Sequence, residues 1–200
     1  MNILKYKTHL IGFALILAYC LVNILSVFIT TLKLSGIINN FVSLVPVFLI
    51  LGYILFEHKD FKYKGYLFPL AFGIISFKNL YSVVISVIGT PKNLVFEKEF
   101  IILFVISLFL LLFNLLCFIG TLFDFKLLIL LKIGCIGYIS TVIIMQIYDF
   151  VTLGGMDYII SIPKEMLPIN IISLVKSVSI ILFYAGIFIL TTDKKKVDLV

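Results

Sequence analysis

Phe100 to Gly120 reads FIILFVISLFLLLFNLLCFIG, twenty-one residues without a single charge. A helix crossing the hydrocarbon core needs about 20 mostly apolar residues. With no water at that depth to bond peptide groups, only hydrogen-bond-complete helices or closed barrels survive. The run is continuously apolar rather than alternating every second residue, which selects a helix over a barrel strand. It therefore predicts a transmembrane helix.

Five more apolar stretches are candidates, four of them 20 residues or longer. They run from Leu10 to Thr30, Phe41 to Phe56, Tyr66 to Gly89, Leu127 to Tyr148 and Ile171 to Leu190. The second is the shortest and carries Pro46, so a kinked or partly interfacial helix is expected there. Polar punctuation separates the spans: the charged loop Glu57–Gly65, the breaker Thr90-Pro91-Lys92-Asn93, and the tight link Gly120–Lys126. The expected fold is all-α: a single polytopic domain over residues 1–200, six transmembrane helices and no soluble part.

Composition agrees. The chain is 62% hydrophobic and 13% charged, against roughly 45–50% and about 25% for a soluble domain. There is too little polar surface to cover a water-soluble globule, which excludes a cytosolic enzyme. The same figures exclude a disordered chain, which would be poor in apolar residues.

All 16 basic residues are lysines, and the net charge is +6. The absence of Arg, the usual bidentate clamp for phosphates and guanine edges, argues against nucleic acid as a partner. Lysine, isoleucine, phenylalanine and asparagine richness suggests a bacterial source. The lysines instead encode orientation. With the N-terminus cytoplasmic, inside segments hold Lys5, Lys7, Lys59, Lys62, Lys64, Lys126, Lys194, Lys195 and Lys196, whereas outside segments hold Lys33, Lys92, Lys98 and Lys164. Both termini are expected in the cytoplasm of a bacterial cell. Lys5 and Lys7 resemble a signal-peptide n-region, but the apolar run that follows is too long and lacks a small-residue cleavage site. The first span is thus expected to be retained.

Catalytic constellations are sought in vain. There is no H-E-x-x-H zinc helix, Walker A loop or G-x-S-x-G elbow. Cys20, Cys117 and Cys135 have no metal-ligand spacing and are expected to pack as small hydrophobes. Asp124 and Asp149 flank spans, leaving no mid-membrane acid for a proton relay. Gly154-Gly155 suits a turn. No enzyme activity, metal or cofactor is expected.

Three lysines within spans resist the orientation account. Lys132 lies about 8 Å from the inner end of its span and Lys176 about 9 Å from the outer end of its own, both within snorkelling reach. Lys78 lies about 18 Å from the inner end of the third span, deep in the core. A charge there costs about 2.5–3.5 kcal/mol on insertion scales. Its neighbours Ser76, Asn79, Tyr81 and Ser82 are polar, and the sixth span carries Ser173, Ser177 and Ser179 around Lys176.

If these two spans pack together, Lys78, Asn79, Ser82, Lys176 and Ser177 form an outward-facing, ligand-binding polar site with no balancing acid. Such a site suits a small anionic ligand, a lipid headgroup or a neighbouring membrane subunit. Asn23 and Asn114 are expected to make interhelical hydrogen bonds. A weak internal match, Ile74-Ile75-Ser76 with Ile171-Ile172-Ser173, hints at an inverted repeat. The long segment Asp149–Asn170, with its Tyr158-Ile159-Ile160 patch, is expected to lie on the outer surface or cap the site. The expected function is that of a transporter or transport-complex subunit. The alternative is an accessory, immunity or sensor-type protein acting through a partner in the bilayer.

Overall fold

The computed structural model describes residues 3–30, 37–56, 64–90, 97–122, 127–155 and 167–194. It is helical throughout these segments: α1 (Ile3–Thr30), α2 (Ile37–Phe56), α3 (Lys64–Gly89), α4 (Lys98–Leu122), α5 (Leu128–Thr152) and α6 (Leu167–Lys194). Four stretches are long and apolar enough to cross a membrane: Gly65–Gly89, Lys98–Leu122, Leu128–Thr152 and Asn170–Thr192. They mark the chain as a membrane protein. Among the described residues α1 and α2 contribute shorter apolar stretches, Leu10–Ser26 and Leu44–Ile54.

Pro46 does not break α2, which continues to Phe56. Pro168 falls in the first turn of α6, where a missing N–H leaves no intrahelical bond unmade, so this helix starts before the expected Ile171. The Tyr158-Ile159-Ile160 patch lies outside the described residues.

Each helix packs against its sequence neighbours, and α1 closes the ring against α6. Successive helices run antiparallel. Hence α3 and α5 finish at the end of the bundle where α4 and α6 begin, called here the Gly89 end. The opposite, Gly120 end is the tightly packed one.

Small residues set how closely helices approach there, as expected where lipid tails offer no hydrophobic drive for helices to associate. A Cβ on Gly186 of α6 would meet the Gly12 carbonyl of α1 at 2.8 Å, and one on Gly134 of α5 would meet the Phe113 carbonyl of α4 at 2.7 Å. Both contacts are with backbone, which cannot rotate away.

The core fills the middle and the Gly120 half: Ile16 and Cys20, Val47 and Ile50, Phe68 and Phe72, Cys117, Leu131 and Cys135, Phe183, Tyr184 and Ile187. Toward the Gly89 end burial thins. Residues Val84 to Gly89 of α3 are all exposed, the last buried residue of α5 is Val142, and the first of α6 among the described residues is Ser179. Among the described residues, burial is therefore denser toward the Gly120 end.

At the close of α5 the Gly154-Gly155 pair forms a hydrogen-bonded stop. Gly155 N–H donates to the Phe150 carbonyl at 2.8 Å and Gly154 N–H to the Val151 carbonyl at 3.2 Å. This is the Schellman pattern, and the φ angles of +98° and +62° explain why glycine occupies both sites. The turn expected from the sequence is a helix terminator.

Candidate intramembrane site

A cavity of about 170 Å³ lies at mid-height in the bundle. Five helices wall it. Tyr19 and Asn23 come from α1, Pro46 from α2, Ile74, Ile75, Lys78 and Asn79 from α3, Tyr138 from α5, and Ile180, Phe183 and Tyr184 from α6. Lys78 is half-buried and belongs to this wall, so the charge expected to be deep in the span faces an internal cavity.

The floor is rigid. Tyr184 O–H donates to Asn114 Oδ1 of α4 at 2.7 Å, and Asn114 Nδ2 donates to Ser76 Oγ of α3 at 3.2 Å. Asn114 thus ties three helices through one carboxamide, each interhelical bond contributing about 0.6–2 kcal/mol in a bilayer. The Tyr138 and Tyr184 rings stack with centroids 4.1 Å apart, and Tyr19 stacks on Phe183 at 4.5 Å. Phe72 of α3 meets Phe183 and Tyr184 of α6 at 6.0 and 6.1 Å.

Those ring contacts bring the third and sixth helices together. They are not neighbours in the ring but meet across its centre, with the cavity beside their shared aromatic layer. The weak sequence match between them does not carry over to equivalent environments. Ser76 is buried while Ser173 is exposed, and Gly89 is open while Gly186 is pressed against α1.

The five residues singled out from sequence separate. Lys78 and Asn79 line the cavity. Lys176 is half-buried, outside the lining, and close enough to Lys78 for the two ammonium groups to repel. Ser177 Oγ bonds to the Ser173 carbonyl of its own helix at 3.2 Å. Ser82 is exposed on α3. The one-turn spacing from Lys78 suggested a shared face, but Ser82 points outward at a level where Val83 beside it is still buried.

Asn79 is the unusual member. Its Nδ2 is buried and meets no acceptor within hydrogen-bond geometry, although its carboxamide lies beside the Tyr138 hydroxyl. Asn23, expected to bond between helices, instead donates Nδ2 to the Tyr19 carbonyl one turn back at 2.9 Å. Tyr19, Asn23, Pro46, Tyr138 and Tyr184 were missed as lining residues. The i, i+4 pair Tyr19 and Asn23 was a usable signal, since it marks one polar face of an otherwise apolar helix.

Lys132 does not share the site. Its Nζ sits 5.8 Å from the Phe188 ring centre on α6, toward the Gly120 end. Cys117 and Cys135 face each other across α4 and α5 with sulfurs 3.9 Å apart, both thiols free and buried. Among the described residues no group of three metal-ligating side chains occurs.

A second hollow, of about 530 Å³, is a groove between α3 and α4 lined by Tyr66, Pro69, Phe77, Phe118 and other apolar side chains. Comparison with protein-family models, curated proteins and solved structures found no match to this chain.

Proposed function

We propose that this chain is a small bacterial integral membrane protein with six spans and both termini in the cytoplasm, acting as a transporter or transport-complex subunit. Its ligand site is the cavity around Lys78. One observation carries the reading: a lysine in mid-bundle lines a cavity walled by five helices. A mid-span charge that merely reached for headgroups would lie on the lipid-facing surface instead. The lysine asymmetry supports the Gly89 end as the outer one, with the site opening outward and Lys176 beside its approach.

The test is flux. Purified protein in liposomes is given outward gradients of chloride, nitrate, acetate and lactate, and anion movement is read with a potential-sensitive dye. Lys78→Met should insert normally and lose the movement shown by the parent chain. Equal movement in both, or none in either, overturns the reading.

The partner-binding alternative gains no support from the exposed Ser82 and Ser86 of α3 with the adjoining, half-buried Thr90. Ser86 and Thr90 already donate to carbonyls one turn back on their own helix, so lipid contact leaves neither hydroxyl unbonded.

A further inference from the structure

Lys78 shares its cavity with the Asn23 and Asn79 carboxamides and with Tyr19, Tyr138 and Tyr184. Several of these groups are already engaged within the protein. Lys78 has an interaction of its own, Asn79 lies against the Tyr138 hydroxyl, and Tyr184 donates to Asn114. Their remaining capacity is mixed, since an ammonium carries three protons, while a phenol oxygen that donates can still accept. Water donates and accepts alike, so it matches such a wall better than a ligand able to do only one.

Size and charge agree. About 170 Å³ holds roughly five water molecules at ~30 Å³ each. Cavities that stay dry are apolar, whereas polar ones of this size hold ordered water. Lys176 is near enough to Lys78 for the two ammonium groups to repel. Repulsion between like charges grows as the dielectric falls, so both stay charged within the bilayer only where water screens them.

One end offers water a way in. Toward the Gly120 end the cavity is closed by Tyr184, with Cys117, Leu131 and Cys135 wholly buried behind it. Toward the Gly89 end, among the described residues, only Val83 of α3 is buried beyond Lys78, and none of α6 ahead of Ser179 is.

We propose that the cavity is a one-sided aqueous vestibule: a water cluster solvates Lys78 and exchanges with the medium at the Gly89 end, while Tyr184, held by Asn114, shuts it off from the Gly120 end. This deepens the reading of the cavity as a ligand site and rests on it for the bilayer setting. A ligand would reach Lys78 with its hydration shell in place.

Ile75 lines the same cavity one turn from Lys78, so Ile75→Cys reports on its contents with the lysine kept. Phe77 is exposed in the apolar groove between α3 and α4, and Phe77→Cys is the lipid-facing control. Each variant, in sealed vesicles, is treated from one side with sulfonatoethyl methanethiosulfonate, a compact anion confined to water, and modification is read by intact mass. Because only the thiolate reacts and hydrocarbon suppresses it, Ile75→Cys should react at least about tenfold faster than Phe77→Cys. It should do so from the face that also modifies Gly89→Cys, a position with open space around it. The parent chain, whose three thiols are buried, is the blank, and a monodisperse gel-filtration profile checks each fold. Lys78→Cys is the second reporter and should react from the same face.

Reporters at both positions reacting no faster than Phe77→Cys overturn the proposal, as does reaction from the opposite face only. The liposome assay separates the two readings. Fast reaction without flux supports the vestibule and removes transport. Lys78-dependent flux with both reporters unreactive keeps transport and removes the vestibule.

Discussion

Asn114 of α4 and Tyr184 of α6 are 70 positions apart in the chain, yet the tyrosine hydroxyl donates to the asparagine carbonyl oxygen at 2.7 Å in the centre of the ring. The same carboxamide reaches Ser76 of α3. The helices carrying these three residues surround the cavity floor, so the bond fixes Tyr184 as part of its wall.

Replacing Asn114 with Leu leaves the Tyr184 and Ser76 hydroxyls without their partner in an apolar interior. A loss of about 1–3 kcal/mol follows, read as a lower thermal midpoint in detergent. Since Tyr184 lines the cavity, anion movement should weaken too. A midpoint equal to that of the parent chain would remove the tie from this account.

Gly186→Leu should be worse than its size suggests. The new Cβ alone meets the Gly12 carbonyl at 2.8 Å, and two helix backbones must separate to admit it. Overpacking of this kind typically costs about 1–3 kcal/mol. The check is the fraction of protein recovered as a monodisperse peak, with Gly89→Leu, which has open space around it, as the comparison expected to behave like the parent.

Lys132 and Lys78 should respond differently to the same substitution. Lys132→Met removes an ammonium resting over Phe188, worth about 0.5–2 kcal/mol, and should leave anion movement unchanged. Lys78→Met should abolish it. Equal loss in both variants would show that the net positive charge, rather than the cavity, attracts the anion.

Cys20, Cys117 and Cys135 are wholly buried. None should react with a maleimide in the folded protein, and all three should react once SDS unfolds it. In a cysteine-free background, Asn2→Cys and Leu199→Cys should label only from the cytoplasmic side. Labelling of both from outside would reverse the orientation and turn the opening of the cavity inward, whereas labelling of one alone from outside would overturn the even span count.

Much of the architecture was legible from composition and run length. Long charge-free stretches such as Phe100–Gly120 locate helices because the bilayer forbids unpaired backbone, whatever the neighbours. Lys78 was also legible as an exception, since depth along a helix follows from counting residues. Ser82 and Ser177 were not separable from Asn79 in that way, because a 1.5 Å rise gives depth and a helical face, while burial depends on which helices stand opposite.

Local chemistry therefore determined the solvent, the helices and the odd lysine. Assembly of the ring decided that α3 and α6 meet across its centre rather than side by side, that Asn114 braces the floor, and that Tyr19, Asn23 and Tyr138 join Lys78 around one cavity. Those facts depend on residues as far apart in the chain as Gly12 and Gly186 meeting in space, through close contacts that no single-helix periodicity encodes.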